Sequence, residues 1–444
     1  MAKYITEAFS ALRKNSKKLF DLHKTYSTAY IHKDASGQIF AHDIFVLQSR
    51  QLVRCDWSEI AKSHGDHKFV LISSNELKEQ SRKLATHFDD VTFIEEITPT
   101  SVINSVRAVA TDRDIESEIL FVTNDEYCLD TVNQLRKQYV LPYVSSEQIA
   151  LYTNKSLMKA AIAEAVRVPN HYVLTGDSAR DNAYINEHFS FPIIGKPTVD
   201  ANNRGVKKVN SILELEEWAK SLEGKEKEVE EYIDGTIYHF NSYSDSSGNI
   251  YPLLVGQYLN PCLDFASERT IGSIIFPKNT DIYVSAIEFN EKILRTLKPI
   301  PNSVFHLEFF IKPDGELVFL EIAARAPGGL LSKSVQHVVG YDIESLNFHL
   351  QIDSKYHLLQ DSTSSNNYAF WCWVPKKAGV LRSEIQIPIR SEHDWEWYIR
   401  QGDYTSVDAA INSPACGIIG HNSDFDVLYE DFMNLQNYEV DTGE

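Results

Sequence analysis

Residues 305–329 read FHLEFFIKPDGELVFLEIAARAPGG. Two apolar runs flank Pro313-Asp314-Gly315, a composition that favours a hairpin turn. With Asp314 and Gly315 as the two loop residues, position 308 lies opposite position 321, and both are glutamates. Directly opposed residues on paired strands have Cβ atoms ~4.5–5.5 Å apart, and like charges there are destabilising. Such a pair requires either that one carboxyl be protonated or that a cation sit between the two. Mg²⁺ suits the second case, since it takes one or two carboxylates and completes its octahedron with water and phosphate oxygens. Glu308 and Glu321 are therefore the candidate metal ligands, with Mn²⁺ as a substitute ion. The competing reading is an ordinary edge strand with one glutamate facing solvent.

Arg325 follows Glu321 by four residues, where the strand leaves its sheet. Its planar fork suits bidentate contact with a phosphate or carboxylate. Gly328-Gly329 lets the backbone approach a ligand and opens a helix whose first N–H groups can hold an anion. A plain strand-to-helix turn would use the same glycines. Upstream, Lys196 ends the apolar run of FPIIGKPTVDANNRGVKKV (191–209) and introduces a polar loop containing Gly205. A lysine so placed can offer a point charge to a phosphate under a covering loop. Lys155 stands in the first turn of the helix expected over 153–166, opposed by the helix dipole.

At 444 residues the chain exceeds one ordinary core, so two or three domains are expected. A net charge of −19 argues against a nucleic-acid or anionic-membrane partner, which would require a basic face. The five cysteines show no metal-site or disulfide spacing. No secretory signal and no apolar stretch near ~18 residues appears, which leads to the expectation of a cytoplasmic protein. Over 1–145, HDIFVLQS, KFVLISS, VTFIEE and ILFVTND read as buried parallel strands; 75–88 and 130–139 read as crossover helices. Scattered apolar positions at helical spacing occupy 1–24. From about 150, HYVL and FPIIGKP read as strands and 211–222 as a helix opened by a Ser211/Glu214 capping box. Residues 228–235 form a strand into a turn, 236–259 a hairpin about Ser247-Gly248, and the residues after Gly329 a helix. A Ser/Asn-rich break at 360–367 precedes a small α+β unit.

Taken in order, Lys155, Lys196-Pro197, EEYIDG (230–235), Glu308, Glu321 and Arg325 resemble the ATP-grasp superfamily over 150–330. The resemblance implies an α/β fold, α+β in its central part. It would comprise an N-terminal parallel-sheet domain (1–145), a central ATP-grasp region (146–360, covering the nucleotide with 170–235) and a lid-like C-terminal subdomain (361–444). It implies ATP and Mg²⁺, with Lys155 and Lys196 on nucleotide phosphates under the 198–206 loop. Glu231, Tyr232 and Ile233 would form the hinge along the adenine, with Glu230 beside it. Arg325 would steady an acyl phosphate. Two departures stand out: Ala323 occupies a position where many members carry a metal-binding Asn, and Ile237 one where relatives often bind ribose with Glu, leaving His239 as a substitute.

The implied chemistry is that of a carboxylate–amine ligase, most similar to the amino-acid ligase branch that makes dipeptides. Its partners would be a small-molecule carboxylate and an amine, and dimers are common in the family. Gly328, Gly329, Arg325 and His306 would line the substrate pocket, with Asp264, Glu268 and Arg269 of CLDFASERT (262–270) shaping selectivity. Rival readings are a biotin-carboxylase-like enzyme using bicarbonate and a non-catalytic ATP-binding regulator.

Overall fold

The computed structural model describes residues 43–443, apart from 66, 83, 110–118, 202, 357–366, 384–387 and 407–412. The helical spacing at 1–24 and nearly all of the 360–367 break lie outside the described residues. The four expected N-terminal strands are β1 (Asp43–Gln48), β2 (Lys68–Ser74), β3 (Asp90–Ile94) and β4 (Ile119–Val122). They form one parallel sheet in the order β3-β2-β1-β4. Its strands read as unbroken apolar runs because both faces are covered. Ile44 and Val46 pack on Trp57 and Ile60, while Phe45 and Leu47 pack on Val102, Val106 and Leu135.

The crossover helix expected over 75–88 is not there. Three short 3₁₀ turns, Asn75–Leu77, Gln80–Arg82 and Leu84–His87, take its place. The segment has too few apolar side chains to hold a helix on the sheet, and polar ties replace them: Gln48 donates to Ser73 and Ser81.

A second sheet is built from β5 (His171–Val173), β6 (Ile193–Pro197), β7 (Lys207–Val209) and β8 (Lys227–Glu231), in the order β5-β8-β6-β7. Helices Ser178–His188 and Ile212–Ser221 back it, packing Ile185, Leu215 and Trp218 on Ile193 and Val229. Gly195 is required beneath Trp218, because a Cβ there would sit 2.9 Å from the indole. The capping box at 211 closes differently from its sequence pattern. Ser211 accepts from the Glu214 amide, but Glu214 reaches one residue further back, to Asn210 N–H.

The third sheet has eight strands. They are drawn from β9 (Thr236–Ser244), β10 (Ile250–Tyr258), β11 (Ile271–Ile275), β12 (Ser303–Ile311), β13 (Leu317–Ala323), β14 (Tyr368–Val374), β16 (Glu392–Trp397) and β18 (Cys416–Asn422), in the order β13-β12-β9-β10-β11-β14-β18-β16. The last residues were expected as a separate lid-like unit, yet β14 continues the central sheet through Ile271↔Trp373 to Ile274↔Phe370. Only β15 (Gly379–Ser383), β17 (Tyr404–Thr405) and β19 (Asp441–Gly443) pair among themselves. The period-2 alternation sorts β12 cleanly. Phe305, Leu307 and Phe309 pack on helices Lys155–Ile162 and Asp281–Leu297, leaving His306 and Glu308 on the opposite face. That face is partly covered by helix Leu331–Val339, which packs on Trp371 and Trp373. No helix among the described residues is long and apolar enough to cross a membrane.

Helix Ile343–Ile352 joins the N-terminal sheet to the rest, placing Phe348 on Trp57 and His349 Nδ1 2.8 Å from His64 Nε2. Burial, then the neighbouring His349 and His67, push the His64 pKa down to about 4. The unfolded chain therefore takes up a proton near pH ~6.5 that the native His64 refuses. Stability should fall as pH drops from about 6.5 toward 4, and His64→Gln should flatten that slope in thermal melts run across this range.

Candidate active site

The glutamates do face each other, reached by a different route from the two-residue turn. Gly315, at φ +87°, favours a three-residue loop, with Lys312 N–H bonding Glu316 O at 3.0 Å. The strand ends then pair Ile311↔Leu317 and Phe309↔Phe319, one residue out of the expected register. A bulge at Leu320 restores it, giving Glu308↔Glu321.

Each carboxylate has its own donors. Lys155 Nζ lies 3.1 Å from Glu321 Oε2. Tyr258 O–H donates to Glu308 Oε1 at 2.6 Å, and His306 Nε2 lies 3.3 Å from the same oxygen. Burial raises the Glu321 pKa, but Lys155 and Lys196 outweigh it and hold the carboxyl below its usual range. Burial likewise opposes charge on Lys155, and Glu321 and Glu126 reverse it. Glu321 is thus held ionised by a lysine where a metal would also bind. Among the described residues no group of three or more His, Cys, Asp or Glu side chains forms a metal cage. Two carboxylates alone suit an ion that keeps water and phosphate oxygens, which fits Mg²⁺. Ala323, opposite His306, adds no ligand.

Lys155 begins its helix behind the Asn154 cap, whose side chain accepts from Ser156 and Leu157 amides. Its own N–H bonds Thr198 O and its ammonium bonds Asp200 O at 2.6 Å. Both ends of Lys155 thereby hold the root of the 198–206 loop. Lys196, at the end of β6, bonds Glu230 Oε1 at 2.6 Å. The resemblance puts Glu230 beside the adenine; in the structure it is a counter-ion to Lys196. Its other oxygen bonds Lys159 at 2.9 Å, and Lys159 also bonds Glu228. Burial would raise the Glu230 pKa, yet Lys159 and Lys196 bring it down to about 2. Lys196 is shifted the other way by burial, with Glu230 resisting. Period-2 alternation along β8 turns Glu228 and Glu230 inward and Glu231 outward, where it pairs with Arg167.

The Glu231 amide donates to Asn170 O at 2.9 Å, so that amide is not available to an adenine edge. Ile233 is buried, and Tyr232 is half-exposed with Lys208 Nζ 4.0 Å over its ring.

Arg325 donates from Nε to Glu126 Oε2 at 3.1 Å and from Nη1 to Ala326 O at 2.9 Å. Burial disfavours its charge, but Glu126, Glu321 and Glu308 more than compensate. Glu126 lies just beyond β4, at the carboxyl end of a parallel strand, where α/β sheets place ligand crevices. Its neighbours bind the same crevice: Asn124 Oδ1 accepts from Ala326 N–H, Asp125 Oδ2 accepts from the amides of Ser49, Arg50 and Gln51, and Tyr127 O–H donates to Asp200. Gly329 has φ +69° and lies so close to Trp371 that a Cβ would come within 2.6 Å of the ring. Arg54 donates to its carbonyl at 3.2 Å. Gly328 remains open, since a Cβ added there would have nothing within 4 Å.

The structure therefore brings Lys155, Lys196, Glu230, Glu308, Glu321 and Arg325 together. It does not give His239 to a ribose. That ring is fully buried, with Nδ1 on Asn241 and Nε2 on Ser273, and burial, with His306 beside it, pushes its pKa down to about 3. His306 bonds Asn241 and Glu308. The 262–270 segment is docked on the C-terminal unit, since Thr270 bonds Tyr438 O and Asn260 bonds Gln436 O. Glu268 lies near Lys377 and helps to raise its pKa. Those partners, and not the glutamate pair, hold the loop that carries Glu268 and Arg269. Four site residues escaped the sequence reading: Asn124, Glu126, Lys159 and Glu228. The only signal for the first two is their place after an apolar strand; alternation with Glu230 marks Glu228.

No family model matches the chain. The L-arginine-specific L-amino acid ligase of Bacillus subtilis is 23 % identical over 269 residues, 56 % of this chain and 60 % of that protein. The chain thus matches less than two thirds of that relative's length. Among solved structures, L-amino acid ligase from Bacillus licheniformis has a TM-score of 0.70 at 14 % identity, covering 92 % of this chain and 100 % of its own. The biotin carboxylase domain of Hydrogenobacter thermophilus 2-oxoglutarate carboxylase, complexed with MgADP and bicarbonate, has a TM-score of 0.64 at 14 % identity, covering 90 % and 91 %. The chain has the fold these proteins share, the ATP-grasp fold that its sequence resembles.

Proposed function

We propose that this chain is an ATP-dependent carboxylate–amine ligase that joins amino-acid-type substrates through an acyl phosphate, releasing ADP and phosphate. The observation that carries it is the convergence of two opposed glutamates, two buried lysines and one part-buried arginine on a single crevice. The two similar proteins named as L-amino acid ligases support an amino-acid carboxylate as substrate.

In this reading a carboxylate oxygen attacks the γ-phosphorus of ATP and the bond to ADP breaks. An amine then attacks the acyl carbon, phosphate leaves, and an amide forms. Lys155 and Lys196 exchange their present partners, Glu321 and Glu230, for phosphate oxygens. Little covalent work falls to the protein, so positioning and charge neutralisation supply most of the rate. Glu308 and Glu321 would hold Mg²⁺, which when bound neutralises charge on the β- and γ-phosphates. Arg325, fixed by Glu126, would face the acyl phosphate and the tetrahedral intermediate. The tied 198–206 loop would close over the site and keep water from the acyl phosphate.

Phosphate release from Mg-ATP, measured with the twenty amino acids singly and in pairs and with the nucleotide product identified, tests the reading. Amino-acid-dependent ADP and phosphate are expected. AMP with pyrophosphate would overturn the mechanism, and bicarbonate-dependent ADP release with no amine requirement would favour a carboxylase. Arg325→Ala should cut product formation by about 10²-fold or more, while ATP binding changes little; unchanged product formation would remove Arg325 from its role. Glu321→Ala should abolish Mg²⁺-dependent turnover at any substrate concentration.

A further inference from the structure

The site face of the eight-stranded sheet carries a row of buried polar side chains that no part of the proposed reaction uses. Trp371 on β14 donates from Nε1 to Ser273 Oγ on β11 at 3.0 Å. Ser273 Oγ lies 2.9 Å from His239 Nε2 on β9, and His239 Nδ1 lies 3.2 Å from Asn241 Oδ1. Asn241 Nδ2 lies 3.1 Å from His306 Nδ1 on β12, and His306 Nε2 lies 3.3 Å from Glu308 Oε1. Ser273, His239 and Asn241 are fully buried, and Trp371 and His306 nearly so.

We propose that this row is a one-way hydrogen-bond chain, anchored at Trp371, that fixes the tautomer of His306 and so holds Glu308 in its metal-ligating position. The inference rests on the metal-binding reading of Glu308. Its direction follows from the chemistry of its Glu308 end and from the orientation of the Asn241 amide. An indole nitrogen can only donate, so one lone pair of Ser273 accepts from Trp371 and its own proton is free for His239 Nε2, the direction that the Asn241 orientation requires. His239 then carries its hydrogen on Nδ1 and donates to Asn241 Oδ1. That places the Asn241 NH₂ toward His306, an orientation independently required by its approach to Phe305 O at 3.5 Å. His306 accepts at Nδ1, carries its hydrogen on Nε2 and donates to Glu308. From the other end a carboxylate that holds a cation can only accept, and Tyr258, whose proton goes to the same carboxylate, offers His306 Nε2 only an acceptor oxygen 3.4 Å away; both demand the same tautomer. Reversing any single link would set two donors or two acceptors face to face in a buried site.

The backbone is shaped for the chain. β10 lies between β9 and β11, so the His239 ring must pass over it to reach Ser273. It passes over Gly256, where a Cβ would come within 2.4 Å of His239 Nε2. With Tyr258 and His306 both donating to Oε1, the Glu308 carboxylate is fixed in rotation and Oε2 is left for a cation. Partners of metal ligands placed in this way set ligand orientation, and losing one typically costs about 10–100-fold in metal affinity. His306, Asn241, His239 and Ser273 are thus positioning residues.

The test begins with the full chain, ¹⁵N-labelled at histidine and free of nucleotide, read by long-range imidazole ¹H–¹⁵N correlation. Hydrogen on Nδ1 of His239 and on Nε2 of His306 is expected; the opposite tautomer or a mixture at His306 overturns the proposal without reference to activity. Next, Mn²⁺ binding at saturating ADP is followed by electron paramagnetic resonance in the wild type and in Ser273→Ala. Mn²⁺ affinity should fall about tenfold in the variant, with ADP affinity in the absence of metal unchanged. Equal Mn²⁺ affinity in the two proteins defeats the chain while leaving the metal reading of Glu308 intact. A wild type that holds no Mn²⁺ with ADP overturns that reading and the proposal with it.

Discussion

Everything in the crevice depends on setting basic and acidic side chains, buried or part-buried, directly against one another. Lys155, Lys159, Lys196 and Arg325 stand against Glu126, Glu228, Glu230 and Glu321, and each of these ion pairs is closer than a solvent-separated contact. Isolated, any of these charges would be neutralised by its surroundings or expelled from them. Arrayed in alternation they hold the second sheet, helix Lys155–Ile162, the hairpin and the N-terminal loop to one another. Glu230 illustrates the balance, because burial alone would protonate it and two lysines hold it ionised. The same arrangement favours the charged forms of Lys155 and Lys159 and fixes their positions, while burial works against charge on Lys196.

The hairpin of β12 and β13 solves a different problem, that of register. A Gly315 loop would have put Glu308 opposite Leu320, turning one carboxylate away from the other. The bulge at Leu320 corrects this within the strand and brings the carboxylates level. A bulge beside a functional pair is a recurrent way of re-aiming a side chain. Here it also lets Lys155, entering from a helix terminus, reach Glu321 but not Glu308, which is served by Tyr258 and His306.

Much of this was legible in the sequence. The four N-terminal strands were readable because strands covered on both faces are written as continuous apolar runs. The glutamate pair was readable because a Pro-Asp-Gly turn fixes which positions meet, although the two steps of its register, loop and bulge, cancelled rather than being foreseen. The helix over 75–88 failed where helical spacing without enough apolar area gave way to polar ties. His239 looked like a spare polar residue near a ribose, since nothing local reveals that Gly256 and Ser273 will receive its ring. Glu126 and Lys159 were invisible for a similar reason. Their partners lie 199 and 69 residues away along the chain, and such pairings are decided by sheet order, not by neighbours.

The balance of charge bears on how the crevice can be filled. Counting Glu308, five carboxylates face four cations, in a chain whose overall charge is −19. Long-range attraction therefore does not favour a polyphosphate, and recognition falls to contacts at short range. A triphosphate that displaced Glu321 from Lys155 and Glu230 from Lys196 would leave one part-exposed and one buried carboxylate without those partners. Glu230 keeps Lys159 in that event. Glu321 keeps nothing of equal strength unless a cation enters with the nucleotide. Under the proposed function, ATP entering as its metal complex would relieve this, since a cation held by Glu308 and Glu321 would replace Lys155 as the counter-charge of Glu321.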